Sequence, residues 1–418
     1  MVVSVVPCPL NCGSRFTIES LEPRRLLHAG HLHADDFEAN VTETPVIDEP
    51  ANRFGGNVFD GANQAAVAAP LNDAAGWTDI APLPVPRIEA QAESKGGRLY
   101  VLGGFADDDL QATNRVDMYD PQEDRWTRVS RMPVAVTHAP TVVDGNNIIL
   151  IGGYVGAWPG TATRDVWMFN THNKRWASLP PLPQARAGGG AGIVGTKLYY
   201  YGGSSGSAGG GETDHANTWF LDLANQDLGW NRRASLPVPR NHIGYASLGG
   251  KLYAIGGQLL DFASTGNQTA VHSYNPKNNR WSEIAPLPIP LGHIHTSTII
   301  DSGNIVVAGG LTEGRQSVSA VYVFYPQDNA WVLRGELPSP RNSTNVMIAD
   351  GTIYIAGGGP GVNPESSAIK QPWNPPPRAA DVPRVAAGSR SFDGIFDDPD
   401  FAIVAPGQLA SVDILARF

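Results

Sequence analysis

Arginine, histidine and glutamate recur in this 418-residue chain at two fixed offsets from a series of tryptophans. Ten residues after Trp77, Trp176, Trp230 and Trp331 stand Arg87, Arg186, Arg240 and Arg341, while Val136 and Leu291 follow Trp126 and Trp281 at the same distance. Two residues further on come Glu89, His138, Gly188, His242, His293 and Ser343, with His295 two beyond His293. Residues two apart on an extended chain share a face, so each copy projects both positions to one side. His138, His242, His293 and His295 could converge on a metal, act as acid and base, or form a pH-sensitive anion site beside Arg240. The plainer expectation is that a repeated unit reuses a polar residue at a solvated rim. No acidic ligand stands in register with all three equivalent histidines, so no metal and no cofactor is assigned. The arginines have a matching alternative, in which each pairs internally with a carbonyl of the neighbouring proline corner.

The elements that must position these residues are also periodic. Short apolar runs each close on a glycine pair: LYVLGG to Gly104, IILIGG to Gly153, LYYYGG to Gly203, LYAIGG to Gly257, IVVAGG to Gly310 and IYIAGG to Gly358. Each tryptophan precedes its second glycine by 27 residues, except Trp281, which precedes it by 29. Two registers that agree over six copies define a repeat. Each copy parses into four strands. A proline corner such as APLPVPR (81–87) breaks the ladder and turns the chain into strand A. Strand B is apolar on consecutive positions, as a strand covered on both faces requires. Strand C ends in an aromatic and a turn, as in VDMYDP and VHSYNP, and strand D carries the tryptophan.

The series begins with an orphan strand D at 77–81, and AIKQPWNP (368–375) aligns with AVHSYNP to put Trp373 at the place of Tyr274. One N-terminal strand (77–81) and three C-terminal strands (341–375) are therefore expected to complete one sheet, leaving no free edge. The D–A corners and the B–C loops then share a rim, which is where a rigid scaffold displays binding residues. Among the B–C loops, 105–114 is acidic, 154–163 carries Tyr154 and Trp158, and 204–217 carries Glu212, Asp214 and His215.

The Gly-Gly, Tyr-Asn/Asp-Pro and Trp pattern over 77–375 resembles kelch repeats. The resemblance implies an all-β fold, a six-bladed kelch-type β-propeller whose ring is closed by strand 77–81. It further implies binding at the mouth of a central channel. LEPRRLL (21–27) resembles the LEPR-XLL motif of exported proteins of planctomycete-type bacteria, which implies an exported, periplasmic or cell-surface location. No standard signal peptide accompanies it, because MVVSVVPCPL has no basic residue and only a brief apolar run. The expected domains are a leader (1–29), a solvated linker (30–76), the propeller (77–375) and a tail (376–418) of uncertain structure, with an acidic cluster from Asp393 to Asp400.

Composition narrows the function. Forty-seven glycines and 34 prolines argue against long helices, and 42% hydrophobic residues against 17% charged supply a large core. A net charge of −10 without a dense basic run disfavours nucleic acid, and no apolar stretch is long enough for a transmembrane segment. The leading expectation is a non-catalytic binding module for a protein or carbohydrate ligand at the channel rim, through Arg87, Glu89, His138, Arg186, Arg240, His242, His293, His295 and Arg341. An alternative is an isomerase resembling sialic-acid mutarotases, with Arg240 or Arg341 on the carboxylate and Glu89, His242 or His293 moving the proton. A second alternative is a structural part of a surface assembly. A copper oxidase resembling galactose oxidase is disfavoured, since both cysteines, Cys8 and Cys12, precede the repeats.

Overall fold

The computed structural model describes residues 76–208, 211–260 and 266–374. The leader, Cys8, Cys12, nearly all of the linker and the tail lie outside the described residues. Within them the chain is all-β, with no α-helix, and six four-stranded antiparallel sheets carry the six copies. This arrangement is consistent with a β-propeller. In the first copy strands A to D are Gln91–Lys95, Arg98–Leu102, Arg115–Asp120 and Arg125–Arg131, side by side in that order. No described helix is long and apolar enough to cross a membrane.

One sheet joins the two ends of the repeat region. Asn345–Ala349, Thr352–Ala356 and Ala368–Pro372 are completed by Thr78–Asp79, with Thr78 opposite Lys370 and Asp79 opposite Ile369. The expected place of Trp373 is corrected by the register. Leu252 faces Tyr274 in the fourth copy and Ile353 faces Gln371 in the sixth, so Gln371 occupies the tyrosine's place. Trp373 lies past the end of that strand, donating from Nε1 to Asp301.

Strand B is buried on consecutive residues, as in Leu99, Tyr100, Val101 and Leu102, because neighbouring sheets cover both of its faces. Each large apolar cluster accordingly mixes two copies. Val142, Ile149 and Ile151 pack with Leu198 and Tyr200, and Leu99, Val101 and Tyr119 pack with Met347, Tyr354 and Ala356, which joins the first copy to the sixth.

Two polar devices repeat between sheets. The second glycine of each pair donates its N–H to the carbonyl ten residues past the next tryptophan: Gly104 to Val136, Gly153 to Arg186, Gly203 to Arg240, Gly257 to Leu291, Gly310 to Arg341 and Gly358 to Arg87. The close approach explains the glycines, since a Cβ on Gly256 (φ +51°) would stand 2.3 Å from the Leu291 carbonyl oxygen. Five of the six repeat tryptophans supply the second device at the outer edge, while Trp176 donates to Ser130 Oγ at 3.1 Å. Trp126 Nε1 donates to Ala81 O, Trp230 to Pro180 O, Trp281 to Ala234 O, Trp331 to Ala285 O and Trp77 to Glu336 O, at 2.8–3.0 Å. Each such bond contributes about 1 kcal/mol net.

Candidate functional site

The arginines and the positions two residues beyond them go to different tasks. Arg87, Arg186, Arg240 and Arg341 are all buried, and their guanidinium groups are used within the scaffold. Arg87 donates to the carbonyls of Val85 and Pro86 and pairs with Asp117 at 2.8 Å. Arg186 donates to Ala185 O, Gln184 and Asn217. Arg240 spans the carbonyls of Gly256, Val238 and Ala254, and Arg341 reaches Ser339 and Ser367. None of the four lines the cavity described below. Burial lowers Arg87 and Arg240 to about 10, with Asp117 opposing the shift at Arg87, so both stay charged at neutral pH. The expectation that these arginines contact ligand gives way to the alternative in which they hold the proline corners.

The second set converges. Glu89, His138, Gly188, His242, His293 and Ser343 all have positive φ, between +49° and +64°. They also touch one another along the backbone: His138 N donates to Glu89 O, Gly188 N to His138 O, and Ser343 N to His293 O. Left-handed backbone at a non-glycine residue costs of order 1–3 kcal/mol and persists only where surroundings enforce it. Here it turns the side chains away from the strand and toward each other. Glu89, His138, His242 and His295 are only 4–5% exposed, which replaces the expected solvated rim with a buried cluster.

Glu89 is its centre. Oε1 accepts from Ser343 Oγ at 2.7 Å and shares a short hydrogen bond with His293 Nδ1. Oε2 is buried without a hydrogen-bond partner among the described residues, with His138 Nε2 at 3.3 Å and His295 Nδ1 at 3.8 Å. Partners on the far side of the rings fix where protons sit. Asn241 gives its amide hydrogens to Asp214 and to Leu260 O, so its Oδ1 accepts from His242 Nδ1–H and leaves His242 Nε2 as a lone pair. His295 Nε2 donates to Ala90 O at 2.9 Å, so the nitrogen it turns to Glu89 also carries a lone pair. His138 Nδ1 engages Thr137 Oγ1 at 2.7 Å.

Burial disfavours the charged imidazole at His138, whose pKa falls to about 4, and at His242, which is likewise held well below its ordinary value. Burial by itself would raise Glu89, but attraction to the His138, His293 and His295 rings when these are protonated, together with the hydrogen bond to His293, outweighs it and holds the carboxyl well below its usual range. One ligating atom each from Glu89, His138 and His242 lie within 4.8 Å of one another, a set able to hold a metal ion.

Above the cluster lies a cavity of about 370 Å³. Glu89, His138, His242 and His293 line it, and its walls include Phe105, Leu110, Tyr154, Trp158, Leu311 and Val362 from the B–C loops. Small ladders brace these loops: Tyr154–Val155 pairs with both Val136–Thr137 and Thr161–Ala162, bringing the Tyr154 ring to 5.4 Å from that of His138. Tyr154 Oη donates to Glu212, and His215 engages Ser205. A second space of about 610 Å³ is lined by strand A residues of all six copies, with Glu93, Tyr245 and His295 among them. Burial raises Glu93 there to about 7, although the side chain keeps partial contact with the space.

Sequence reasoning placed Tyr154 and Trp158 in the right loops but missed Phe105, Leu110, Leu311 and Val362. Their one indication was an apolar residue in a loop that needs none for a turn. It also missed Asn241, which sits between two copies' site positions and orients His242.

Comparisons with known proteins agree with this architecture. The sequence matches the KLHDC2/KLHL20/DRC7 Kelch-repeats domain over residues 54–235 and 137–359. It is 26% identical over 305 residues to Kelch-like protein terF of Aspergillus terreus, covering 70% of this chain and 65% of that protein. To Kelch-like protein 35 of Mus musculus it is 26% identical, over 62% of this chain and 41% of the relative. To Kelch repeat-containing protein At3g27220 of Arabidopsis thaliana it is 23% identical, over 68% and 70%. The chain therefore spans less than two thirds of the first two relatives. With the glycine pairs, the tryptophan ties and the four-stranded sheets in place, the chain belongs to the Kelch-repeats domain family.

Proposed function

We propose that this chain is an interaction module, a closed ring of six kelch blades whose channel mouth takes a projecting apolar group of a protein ligand. The cyclic run of glycine-to-carbonyl hydrogen bonds, returning from Gly358 to Arg87, supports six blades and closure. The observation that carries the binding reading is the mouth cavity, about 370 Å³ and walled by residues of five different loops. That size is in the range of pockets that enclose a compact ligand. Its walls offer Phe105, Leu110, Trp158, Leu311 and Val362, with Trp158 42% and Val362 55% exposed. Exposed apolar side chains gathered at one rim mark a contact surface. A carbohydrate finds an aromatic face in Trp158 but few hydrogen-bonding partners in the walls. The sialic-acid isomerase reading lacks support because Arg240 and Arg341 are held in their corners and the floor carries the Glu89 carboxylate. The LEPRRLL resemblance supports export, which fractionation of cells expressing the full chain tests directly.

Selection of a cyclic-peptide library on the full chain tests the reading. Enriched peptides should share an aromatic or aliphatic residue at the loop tip and bind Trp158→Ala and Val362→Asp at least tenfold more weakly. Peptides that bind both variants as well as the unaltered chain would place the interaction elsewhere.

A further inference from the structure

We propose that Glu89, His138 and His242 form a binding site for one divalent first-row transition-metal ion, with an open coordination position facing the mouth cavity. The argument rests on lone pairs. The hydrogen bond to Asn241 fixes His242 as the Nδ1–H tautomer, so its Nε2 can only accept. His295 likewise turns an unprotonated nitrogen inward, because its Nε2 proton is used on Ala90 O. Between them lies Glu89 Oε2, buried and without a hydrogen-bond partner among the described residues, and His138 Nε2 stands only 3.3 Å from it. Glu89 Oε2 and His242 Nε2 thus offer lone pairs to one small volume, His138 Nε2 adds a third in the tautomer whose Nδ1–H donates to Thr137 Oγ1, and a cation among them would satisfy all three where burial excludes water.

Two neutral imidazoles and one carboxylate are the donor set that zinc, iron and manganese sites use. In a tetrahedral shell ligand atoms about 2.1 Å from the ion stand about 3.4 Å apart, so three atoms lying within 4.8 Å of one another close on an ion with side-chain shifts of about an ångström. The surroundings are built as metal sites build them. Thr137 and Asn241 engage the far nitrogens of His138 and His242, and Asp214 in turn holds Asn241. His293 differs, since Gln258 Oε1 accepts from its Nε2 and its Nδ1 is occupied on Glu89 Oε1. It braces the carboxylate and does not ligate. The three ligands line the floor of the mouth cavity, so a donor atom of an incoming group would have access to the ion. Holding the ion does not depend on which group enters.

The test uses the full chain, stripped with chelator and titrated with Co²⁺ and Zn²⁺ alone. Co²⁺ should bind at one equivalent per chain with the visible d–d bands of a low-coordinate nitrogen and oxygen site, and Zn²⁺ should displace it. His242→Gly and Glu89→Gln should each weaken binding by more than a hundredfold, and Asn241→Ala by ten- to a hundredfold. His242→Gly guards against simple misfolding, because Gly188 already occupies the equivalent position in the third copy. Failure of the folded, unaltered chain to bind Co²⁺ stoichiometrically would overturn the proposal, as would a folded Glu89→Gln that binds it equally well. An unaltered peptide selection alongside a lost metal would leave the mouth reading standing and remove only this one.

Discussion

The positions ten and twelve residues past each tryptophan form two sets only one side chain apart, both largely buried and both carrying ionisable groups, yet they differ in what their side chains face. The arginines at position ten turn their Nη donors to carbonyls and side chains of their own corner and strand, while Nε of Arg87, Arg186 and Arg341 is buried without a hydrogen-bond partner among the described residues. At position twelve, the Glu89 carboxylate and the His138, His242 and His293 rings turn to one another instead. Burial and charge therefore do not by themselves distinguish a site from a scaffold. What distinguishes them is whether the side chains turn to their own corner or to the equivalent side chains of other copies.

The sharpest way to break this contrast is Arg240→Ala. Removing a fully buried guanidinium leaves the carbonyls of Gly256, Val238 and Ala254 without their donor, and a loss of about 3–5 kcal/mol in denaturant unfolding is expected. A loss below about 1 kcal/mol would place the arginines outside the scaffold. The next effect concerns Glu93, whose carboxyl is raised by burial from 4.5 to about 7. At that group the folded chain holds more protons than the unfolded one between those values, so the contribution of Glu93 is greatest at and below pH 4.5, falls as pH rises to about 7 and is flat beyond, against an opposite rise from His138, which is buried neutral. Glu93→Gln should remove that fall, so that its melting temperature gains on that of the unaltered chain as pH rises from 4.5 to 8. His242→Gly should be neutral or stabilise by up to about 1 kcal/mol, since glycine relieves the positive φ. A destabilisation as large as that of Arg240→Ala would erase the distinction between the two sets. Smallest of all, Trp158→Ala should change stability by less than about 0.5 kcal/mol while weakening peptide binding, as calorimetry would show.

Much of the fold was legible because its devices demand particular residues. Only glycine fits where a neighbouring carbonyl stands 2.3 Å from the would-be Cβ of Gly256, and only an indole reaches from strand D to the preceding corner. The site was legible in part. Equal offsets identified Glu89 and the histidines as equivalent, but sequence gives register along a strand and not distance across an axis. Hence Glu89 went unnoticed as the acidic partner of three imidazoles. Nor does a histidine's identity disclose a φ near +50°, the turn that brings the rings together. The arginines misled because a buried guanidinium and a ligand-binding one are the same residue type. The Trp373 alignment failed because a shared Asn-Pro outweighed the ladder, whose register puts Gln371 there.

The sheet assembled from both ends imposes an order of events on synthesis. Thr78 meets Lys370, 292 positions later, so the outermost strand of that sheet must wait until nearly the whole repeat region has left the ribosome. Five sheets can form from contiguous chain as it emerges, each resting on the one before. The sixth needs strands from both ends of the repeat region, which makes docking of the first strand a late step. A chain that terminates early lacks the partner for Trp77 and Thr78 and keeps an open flank. Because that waiting strand is only two residues long, it offers little template for pairing with another chain during the delay.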